Sequence, residues 1–455
     1  MFDTTTKLYT HQKIAFDKLK DIRVCGLFMD MGTGKTRTAI EFVKYRQHKI
    51  SNVVWFCPVT LKQTIFKELQ KHTILQNIFV FDENVTKNNI PVVFLYVVGI
   101  ESMSSSARVV FTVNQIVNDN SFCIVDESSF IKGNDSLRTM RITRICERAK
   151  YRMILTGTPM TLGIVDLYAQ MKFLSPKILG YNSFYSFAHN HLEYSDKYPG
   201  MIVRAHNIDY LSRKINPYVY QVKKEECLDL PRKIYKSRYT SVTQEQREWY
   251  ERAKQEILSE QLREFDSYTL FKLFGALQQI ASGFWNKYQI EIPNNRLGML
   301  QNVLSTIPQN DKVIIWCKYT YSFECIINTL TCNSIHGKQS QIERQTQLAN
   351  FEKSGRILVA TMQCGGYGLN LQFAHYAIFY EHSFNYAHRL QAEDRIHRNG
   401  QTERPIYIDI YSTLGIENHI ANNNSDKGHT INSFKKRFDS VKDDKEALKQ
   451  FVKEI

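Results

Sequence analysis

Residues 28–40 read FMDMGTGKTRTAI, and this stretch contains the Gly34-Lys35-Thr36 ending of a phosphate-binding loop. The apolar residues 24–28 are typical of a buried strand, and residues 38–43 have apolar side chains at helical spacing. A strand, a glycine turn and a helix in this order let backbone N–H groups surround anionic oxygens. Met29 stands where the G-x-x-x-x-G-K-[ST] pattern has its first glycine, so a purely structural glycine turn stays open as an alternative.

In a nucleotide site, this loop supplies backbone and side-chain contacts. Its glycines allow close approach of the backbone, Lys35 reaches the terminal phosphates, and Thr36 binds Mg²⁺. The predicted ATP-binding residues of the loop are Met31, Gly32, Thr33, Gly34, Lys35 and Thr36.

The composition is that of an ordinary globular protein with an excess of positive charge. The 455 residues are 43% hydrophobic and 23% charged, and the formal net charge of +14 favours a polyanionic partner such as nucleic acid. A basic surface that only aids solubility is the alternative. No apolar run approaches the roughly 20 residues of a membrane span, so no membrane contact is expected.

The nine cysteines are never spaced as C-x-x-C. Cys57, Cys123 and Cys317 lie inside apolar runs, where thiols behave as small core residues. The pattern predicts a reducing interior without structural zinc.

Two regions of alternating strand-like and helical patterns indicate two α/β parts. The strand-like runs are VCGLFM, NVVWFCP, IFVF, VVFLYVV, VVFT, FCIVDE and RMILTGTP in the first third, and KVIIWC, NSIHG, RILVAT, YAIFYE and IYIDIY later. This alternation predicts parallel sheets. Between Leu162 and Lys224 the strand-like runs stop and aromatic-rich helical stretches take over, and a second helical region follows Leu230-Pro231.

The predicted fold class is α/β, with two parallel-sheet lobes in tandem and helical protrusions between them. The predicted boundaries are 1–161 for lobe 1, 162–229 for its helical protrusion, 230–290 for a linker and the helical protrusion of lobe 2, 291–425 for lobe 2, and 426–455 for a charged C-terminal helix or tail.

The stretch FCIVDESS supplies the acidic pair that a nucleotide site needs at the end of a strand. Asp126 is suited to hold Mg²⁺, and Glu127 to orient or deprotonate the attacking water. Two carboxylates that cap the following helix are the alternative. Downstream, MILTGTPM gives a strand followed by a turn at residues 156–159.

Paired arginines mark the second α/β part. Gln391, Arg395 and Arg398 recur at helical spacing, which predicts two guanidinium groups on one helix face. A solvated charged face is the usual explanation of such spacing. A lobe without its own phosphate loop is, however, suited to supply arginines that stabilise a γ-phosphate across a cleft.

The order of these motifs resembles the Swi/Snf-type family of double-stranded-DNA translocases in helicase superfamily two. The likeness spans nearly the whole chain: LYTHQKIAF resembles the Q motif, DMGTGKT motif I, VVWFCPVTLKQTIFKEL motif Ia, VDESS motif II, LTGTPM motif III, KVIIWCKYT motif IV, ATMQCGGYGLNL motif V and QAEDRIHRNGQ motif VI. Motif VI is the most specific, because DEAD-box RNA helicases end it with G-R-x-G-R. The family commonly reads D-E-M-G-x-G-K-T in motif I, which accounts for the absent first glycine.

The resemblance implies RecA-like lobes, ATP with Mg²⁺, and roles for matched residues. Gln12 reads the adenine edge, and Arg395 and Arg398 stabilise the transition state from lobe 2. The implied catalytic residues are Lys35, Asp126, Glu127, Arg395 and Arg398, with Thr36 and Asp126 on the metal. The residues implied to couple the ATP cleft to the DNA path are Thr156, Gly157, Thr158 and Gln391. The motif V residues implied to lie at the nucleotide cleft are Gly366, Gly368 and Asn370.

Contacts to the DNA backbone are implied for turn residues at strand ends, although each of them is equally an ordinary turn residue. They are Pro58, Thr60, Lys318, His336, Gly337 and Thr361. Two departures from the family pattern stand out: Ser129 replaces the histidine of D-E-A-H, and residues 160–162 replace the Q-N after motif III. We therefore expect altered coupling between ATP and motif III, with hydrolysis intact.

The expected function is ATP-driven translocation on double-stranded DNA, which remodels DNA or displaces bound proteins in replication, repair, recombination or defence. A strand-separating DNA or RNA helicase and an ATP-switched DNA-binding scaffold with little turnover are the alternatives. A recruiting protein, a monomeric state and a cytoplasmic location in a bacterial or phage-infected cell, or a nuclear one in a eukaryote, complete the expectation.

Overall fold

The computed structural model describes residues 2–82, 90–157, 159, 163–194, 202–260, 267–362, 364, 369–384 and 386–425. The chain divides into two compact units, Met1–Asp229 (unit 1) and Leu230–Ile455 (unit 2). Thr158, Gly366, Gly368, residues 160–162 and the predicted tail 426–455 lie outside the described residues, so the predictions made for them stay predictions.

Unit 1 is built on a parallel sheet of seven strands. The strands of this sheet are β1 (Val24–Met29), β2 (Asn52–Cys57), β3 (Ile78–Val80), β4 (Leu95–Gly99), β5 (Ser121–Asp126), β6 (Tyr151–Thr156) and β9 (Val219–Val222). A separate antiparallel pair is formed by β7 (Leu192–Tyr194) and β8 (Ile202–Ala205). The order across the sheet is β3-β4-β2-β5-β6-β1-β9, and all its pairs are parallel.

The central strands β4, β2, β5, β6 and β1 are buried on both faces, which explains their nearly continuous apolar sequences. Along β2, Val54 and Phe56 join the hydrophobic cluster on one face, while Val53 and Trp55 join the cluster on the other. This alternation follows from the two-residue period of a strand. The thiols of Cys57 and Cys123 are fully buried, as their apolar surroundings predict, and so is Cys317 in unit 2.

Helices connect the strands of unit 1. They are α1 (Thr10–Leu19), α2 (Lys35–Arg46), α3 (Lys62–His72), α4 (Ser102–Ser105), α5 (Ala107–Ile116), α6 (Leu137–Cys146), α7 (Val165–Leu174), α8 (Pro176–Leu179), α9 (Phe184–His191), α10 (Ile208–Ile215) and α11 (Lys224–Cys227).

Unit 2 has a second parallel sheet, of six strands in the order β10-β17-β16-β13-β15-β14. Its strands, with the antiparallel pair β11–β12, are β10 (Ile234–Thr240), β11 (Phe284–Trp285), β12 (Ile290–Glu291), β13 (Val313–Cys317), β14 (Asn333–Ile335), β15 (Ile357–Thr361), β16 (Tyr376–Phe379) and β17 (Ile406–Ser412). Its helices are α12 (Gln244–Glu260), α13 (Ser267–Ala281), α14 (Arg296–Ser305), α15 (Thr320–Thr329), α16 (Gln341–Lys353), α17 (Tyr386–Glu393) and α18 (Gly415–Ser425).

The prediction of two parallel α/β lobes in tandem is confirmed by these two sheets. The domain boundaries within each unit stay predictions. Among the described residues, no helix combines the length and the apolar character that crossing a membrane requires.

The prediction that strands are absent from residues 162–224 is wrong, and so is the purely helical reading of 230–290. β9 pairs with β1 at one edge of the first sheet, and β10 pairs with β17 at one edge of the second. Both are edge strands held by main-chain pairing. Only the two ends of β9 are buried, and the middle of β10 is exposed and polar, so neither shows an apolar alternation.

The stretch VVFT was also predicted as a strand, and this is wrong because residues 109–112 lie in α5. The hydroxyl of Ser106 accepts a hydrogen bond from the N–H of Val109 at 3.3 Å and caps the helix. Val109, Thr112 and Val113 are buried together, at the spacing of one helix face. The capping serine and this spacing outweigh the β-propensity of the two valines.

Candidate nucleotide site

The phosphate loop joins β1 to α2, and its two glycines adopt backbone conformations that other residues rarely take. Gly32 has φ +82° and Gly34 has φ +85°, both in the left-handed region. A Cβ atom at Gly34 would lie 2.1 Å from the side-chain nitrogen of Gln12. The loop therefore requires glycine at position 34 both for its turn and for the close approach of Gln12.

Gln12 is buried, and both ends of its amide bind the backbone. Its oxygen accepts from the N–H of Tyr9 at 3.0 Å, and its nitrogen donates to the carbonyl of Thr33 at 3.0 Å. The structure thus brings Gln12 to the phosphate loop, which it supports from α1. Its predicted contact with the adenine edge stays a prediction.

Lys35 is the buried first residue of α2 and lies over the loop that precedes it. Its ammonium donates to the carbonyls of Met29 at 3.0 Å and Asp30 at 3.4 Å. Backbone carbonyls are neutral partners, so they leave the lysine charge to be balanced by an anion. Thr36, the predicted metal ligand, follows Lys35 on α2 and is half-buried.

Asp30 was not singled out from the sequence, although it connects the phosphate loop to the edge strand β9. Its N–H donates to the carbonyl of Val222 at 3.2 Å, and its carboxylate accepts from the N–H of Lys224 at 2.9 Å. Its carbonyl accepts from the hydroxyl of Thr33 at 2.7 Å. One residue therefore orders the start of the loop and the end of β9.

The acidic pair lies at the C-terminal end of β5. Because the strands are parallel, β1 ends on the same side of the sheet. The pKa of Asp126 is raised to about 7, chiefly by burial and then by the charge of Glu127, while the charge of Lys35 opposes the rise. The Asp126 carboxylate accepts from the N–H of Glu127 at 3.0 Å. The structure therefore brings Lys35, Asp126 and Glu127 into one electrostatic environment.

Glu127 has φ +50° and ψ +57°, a left-handed conformation that is sterically unfavourable for a residue with a Cβ atom. Such strain persists only where the surrounding structure enforces it, and it is enriched at functional sites. The conformation favours the catalytic interpretation of Glu127 over a simple helix cap.

The motif III residues begin at the end of β6, the strand that lies between β5 and β1 in the sheet. Thr156 is fully buried at the end of the strand. A Cβ atom at Gly157 would lie 3.3 Å from the backbone nitrogen of Met31, so this glycine packs on the phosphate loop itself. The predicted coupling segment thus contacts the predicted nucleotide site within unit 1.

Gln170 on α7 was missed because a single glutamine in a helix has no motif signal. It is fully buried and contacts both Ser128, next to Glu127, and the carbonyl of Pro159 in motif III.

In unit 2, motifs V and VI meet: the Arg398 guanidinium donates to the side-chain oxygen of Asn370, and the Arg395 carbonyl accepts from the N–H of Leu371 at 3.1 Å. Gln391 lies on α17, but this helix ends at Glu393. The prediction of two arginines on one helix face is therefore wrong. After Glu393 the backbone forms turns: the N–H groups of Arg395 and Ile396 bond to carbonyls three residues back, and that of Arg398 bonds to the carbonyl of Ile396. The catalytic role of both arginines stays a prediction.

The second sheet also carries buried ion pairs that the sequence did not indicate. Arg389 on α17 donates to the carboxylates of Asp409 and, at 2.7 Å, Glu393, and Lys233 lies 2.8 Å from Glu393. Arg389 also lies over the ring of Phe379. These groups satisfy one another inside the lobe.

The predicted DNA contacts follow one strand in unit 1 and three neighbouring strands in unit 2. Pro58 and Thr60 follow β2. In unit 2, Lys318, His336 and Thr361 follow or end β13, β14 and β15, which pair side by side, and Gly337 is exposed beyond His336. Lys318 points inward: it donates to Gln278 of α13, and burial lowers its pKa to about 8. The role of these residues stays a prediction.

Unit 1 thus has the architecture of a phosphate-loop ATPase lobe, followed by the arginine-bearing lobe of helicase-like ATPases. The SNF2-related domain matches residues 14–283, and the helicase conserved C-terminal domain matches residues 295–400. Because the first match alone covers more than half of the chain, the chain belongs to the SNF2-related family, as its motifs predict. It is an enzyme of the helicase-like ATP-hydrolysing class.

Curated relatives carry helicase names. The chain is 25% identical over 312 residues to the uncharacterized ATP-dependent helicase MG018 of Mycoplasma genitalium, covering 66% of this chain and 29% of that protein. It is 23% identical over 453 residues to the human DNA annealing helicase and endonuclease ZRANB3, covering 93% of this chain and 40% of that protein. The chain therefore spans well under half the length of these relatives.

Among solved structures, the Sulfolobus solfataricus SWI2/SNF2 ATPase core in complex with dsDNA is similar, with a TM-score of 0.46 and 20% identity. The likeness covers 99% of this chain and 96% of that chain.

Proposed function

We propose that this chain is an ATP-driven motor that translocates on double-stranded DNA and thereby remodels DNA or displaces bound proteins. The observation that carries the proposal is the arrangement at the C-terminal ends of three adjacent strands of the first sheet. There Lys35 follows β1, Asp126 ends β5, and Gly157 follows the strand between them. The net charge of +14 and the DNA-directed names of relatives support the choice of polymer.

In the proposed reaction, ATP is the substrate and its phosphates lie on the loop at the start of α2. The oxygen of a water forms a bond to the γ-phosphorus as the bond from that phosphorus to the β–γ bridging oxygen breaks. Glu127 takes a proton from the water, and ADP leaves with the electron pair of the broken bond. Lys35 balances the charge on the phosphate oxygens.

The residues at the site also fit Mg²⁺. A buried carboxylate at Asp126 and the hydroxyl of Thr36 are oxygen donors, the kind that Mg²⁺ prefers, and the ion typically takes its other ligands from water and substrate phosphates. These two residues would hold it. When bound, the ion supplies positive charge that stabilises the phosphate oxygens.

The proposed contact with DNA is made to phosphates. Backbone contacts give little sequence preference and a strong dependence on salt, which suits a motor that moves over any sequence. The exposed region beyond β14 and the turn after β2 provide the candidate contacts.

Steady-state ATP hydrolysis tests the proposal directly. Turnover is measured without polymer and with duplex DNA, single-stranded DNA or RNA, beside the Glu127→Gln variant. We expect stimulation by duplex DNA that is abolished in the variant. Stronger stimulation by single strands or RNA would favour a strand-separating helicase or RNA remodeller. Nucleotide-dependent DNA affinity with negligible turnover would favour an ATP-switched scaffold.

A further inference from the structure

A buried glutamine connects the segment that carries Glu127 with the loop of motif III. Gln170 is fully buried on α7, and its side-chain oxygen accepts from the hydroxyl of Ser128 at 2.6 Å. Its side-chain nitrogen donates to the carbonyl of Pro159 at 2.8 Å and to that of Asp166 at 2.8 Å.

The chemistry of these partners fixes the orientation of the amide. Two backbone carbonyls only accept, so the NH₂ group of Gln170 must face Pro159 and Asp166. The amide oxygen then faces Ser128, whose hydroxyl donates to it. A flipped amide would place an oxygen against two carbonyls, and this is unfavourable in a buried site. Gln170 therefore joins Ser128 to Pro159 in one defined geometry.

One end of this connection adjoins the strained residue of the site. Ser128 is fully buried and follows Glu127, whose φ of +50° must be enforced by its neighbours. A second contact joins the same two segments, because the ammonium of Lys132 lies 3.5 Å from the carboxylate of Asp166 on α7. The backbone after Glu127 is thus held to α7 at two points.

The other end adjoins the phosphate loop. Pro159 lies two residues after Gly157, which packs against the backbone of Met31. The contacts therefore run from the phosphate loop through motif III and Gln170 to the residue after Glu127.

We propose that Gln170 is a positioning residue for ATP hydrolysis, which holds Ser128, and through it the backbone of Glu127, in register with the motif III loop. The inference rests on the ATP hydrolysis proposed above and not on the identity of the polymer. Gln170 does not contact the reacting atoms in this arrangement. It acts by keeping Glu127 in the orientation in which its carboxylate takes the proton of the water.

Two variants test the connection from its two sides. Gln170→Leu removes the amide with little change in size, and Ser128→Ala removes only the hydroxyl. We expect each to lower kcat by about 5- to 10-fold, the loss that corresponds to one misplaced hydrogen bond, with the KM for ATP changed less than about 2-fold. Because both act through one contact, the double variant should be no slower than the slower single variant.

A matched control separates positioning from general loss of structure. Gln246 on α12 is also buried and donates to two carbonyls, those of Ile280 at 3.1 Å and Ala281 at 3.3 Å, but it lies in unit 2. We expect Gln246→Leu to lower thermal stability without lowering kcat. Turnover is expressed per bound fluorescent ATP analogue, a ratio that a purely structural defect leaves unchanged.

The outcomes separate this inference from the proposed function. If the wild type hydrolyses no ATP and equals Glu127→Gln, the proposed function fails, and the role of Gln170 in hydrolysis fails with it. If the wild type hydrolyses ATP but turnover per bound analogue is unchanged in both variants, or the two effects multiply, only the role of Gln170 is overturned. If Gln170→Leu does not fold, Ser128→Ala alone decides by the same ratio.

Discussion

The charged residues of the candidate nucleotide site in unit 1 and two buried ion pairs in unit 2 are neutralised differently. In unit 1, the ammonium of Lys35 binds backbone carbonyls, and the carboxylate of Asp126 binds a backbone N–H. In unit 2, Arg296 pairs with Glu417, and Arg389 pairs with Asp409, each pair buried.

This difference distinguishes a site from a scaffold. In a buried ion pair the two charges balance each other. Substitution of one partner leaves the other charge buried without a counter-charge, which lowers the stability of the fold. The hydrogen bonds of Lys35 and Asp126 to the backbone leave their charges only partly balanced by one another, so that an anionic ligand and a cation are able to balance them further. We therefore expect substitution of Lys35 to affect turnover more than stability, and substitution of Arg389 to do the reverse.

The largest effect is expected for Lys35→Ala. The substitution removes the charge that, in the proposed reaction, balances the phosphate oxygens, and we expect ATP turnover to fall about 100-fold or more. The side chain donates only to two backbone carbonyls in the loop, so the free energy of unfolding should change by about 1 kcal/mol or less. Turnover assays and calorimetry of the same preparation measure both. A large loss of stability with residual turnover would remove the distinction between the units.

Arg389→Met is expected to give the opposite result. It leaves Asp409 and Glu393 buried without their main cation, which costs about 3–5 kcal/mol. For a unit of this size, we expect the unfolding temperature to fall by roughly 10 °C. Lys236→Met, at an exposed position of β10, is the control and should leave the unfolding temperature unchanged. An unchanged transition in Arg389→Met would show that the buried pairs contribute little.

A smaller effect is expected from pH. Burial, with the charge of Arg389, lowers the pKa of His382 to about 3, while an unfolded histidine titrates near 6.5. Because the unfolded state then binds the proton more tightly, the stability contributed by neutral His382 is complete above pH 6.5 and is lost as the pH falls toward 3. The ring stacks on Tyr411 at 4.3 Å and lies 3.8 Å from a carboxylate oxygen of Asp409.

Calorimetry between pH 7.5 and pH 5 measures this loss, which should reach about 2 kcal/mol at pH 5. His382→Gln should flatten the dependence, while His48→Gln at an exposed position should keep it. An equal slope in the wild type and in His382→Gln would assign the pH dependence to other groups.

The smallest effect is expected at the end of α5. Ser106→Ala removes the helix cap and should cost about 1 kcal/mol, which lowers the unfolding temperature of unit 1 by a few degrees. Ser105→Ala, in the neighbouring helix α4, is the control for serine removal. If the two variants do not differ, the cap does not explain why VVFT forms a helix.

The sequence predicts those parts of the fold in which side chains alone determine the structure. β1, β5 and β6 are buried on both faces, so their apolar runs and the motif residues that follow them are visible in the sequence. The placement of Lys35, Asp126 and Glu127 along one sheet edge follows from that pattern.

The remaining features depend on contacts between distant segments. β9 and β10 are held by main-chain pairing, which leaves no apolar pattern, and α17 ends where the backbone turns toward Leu371. Gln170 belongs to no motif, and its contacts exist only because α7 packs against the segment after β5. Local residue spacing indicates neither the main-chain pairing of edge strands nor the contacts that form when distant segments pack together.

Asp30 joins the phosphate loop to the last strand of unit 1. Its N–H and carboxylate bind the backbone of Val222 and Lys224, while its carbonyl accepts from Thr33 in the turn proposed to bind phosphate. Unit 1 ends at Asp229, shortly after Lys224, and the chain then enters unit 2. The loop proposed to bind phosphate and the segment by which the chain leaves unit 1 are therefore joined by hydrogen bonds of a single residue.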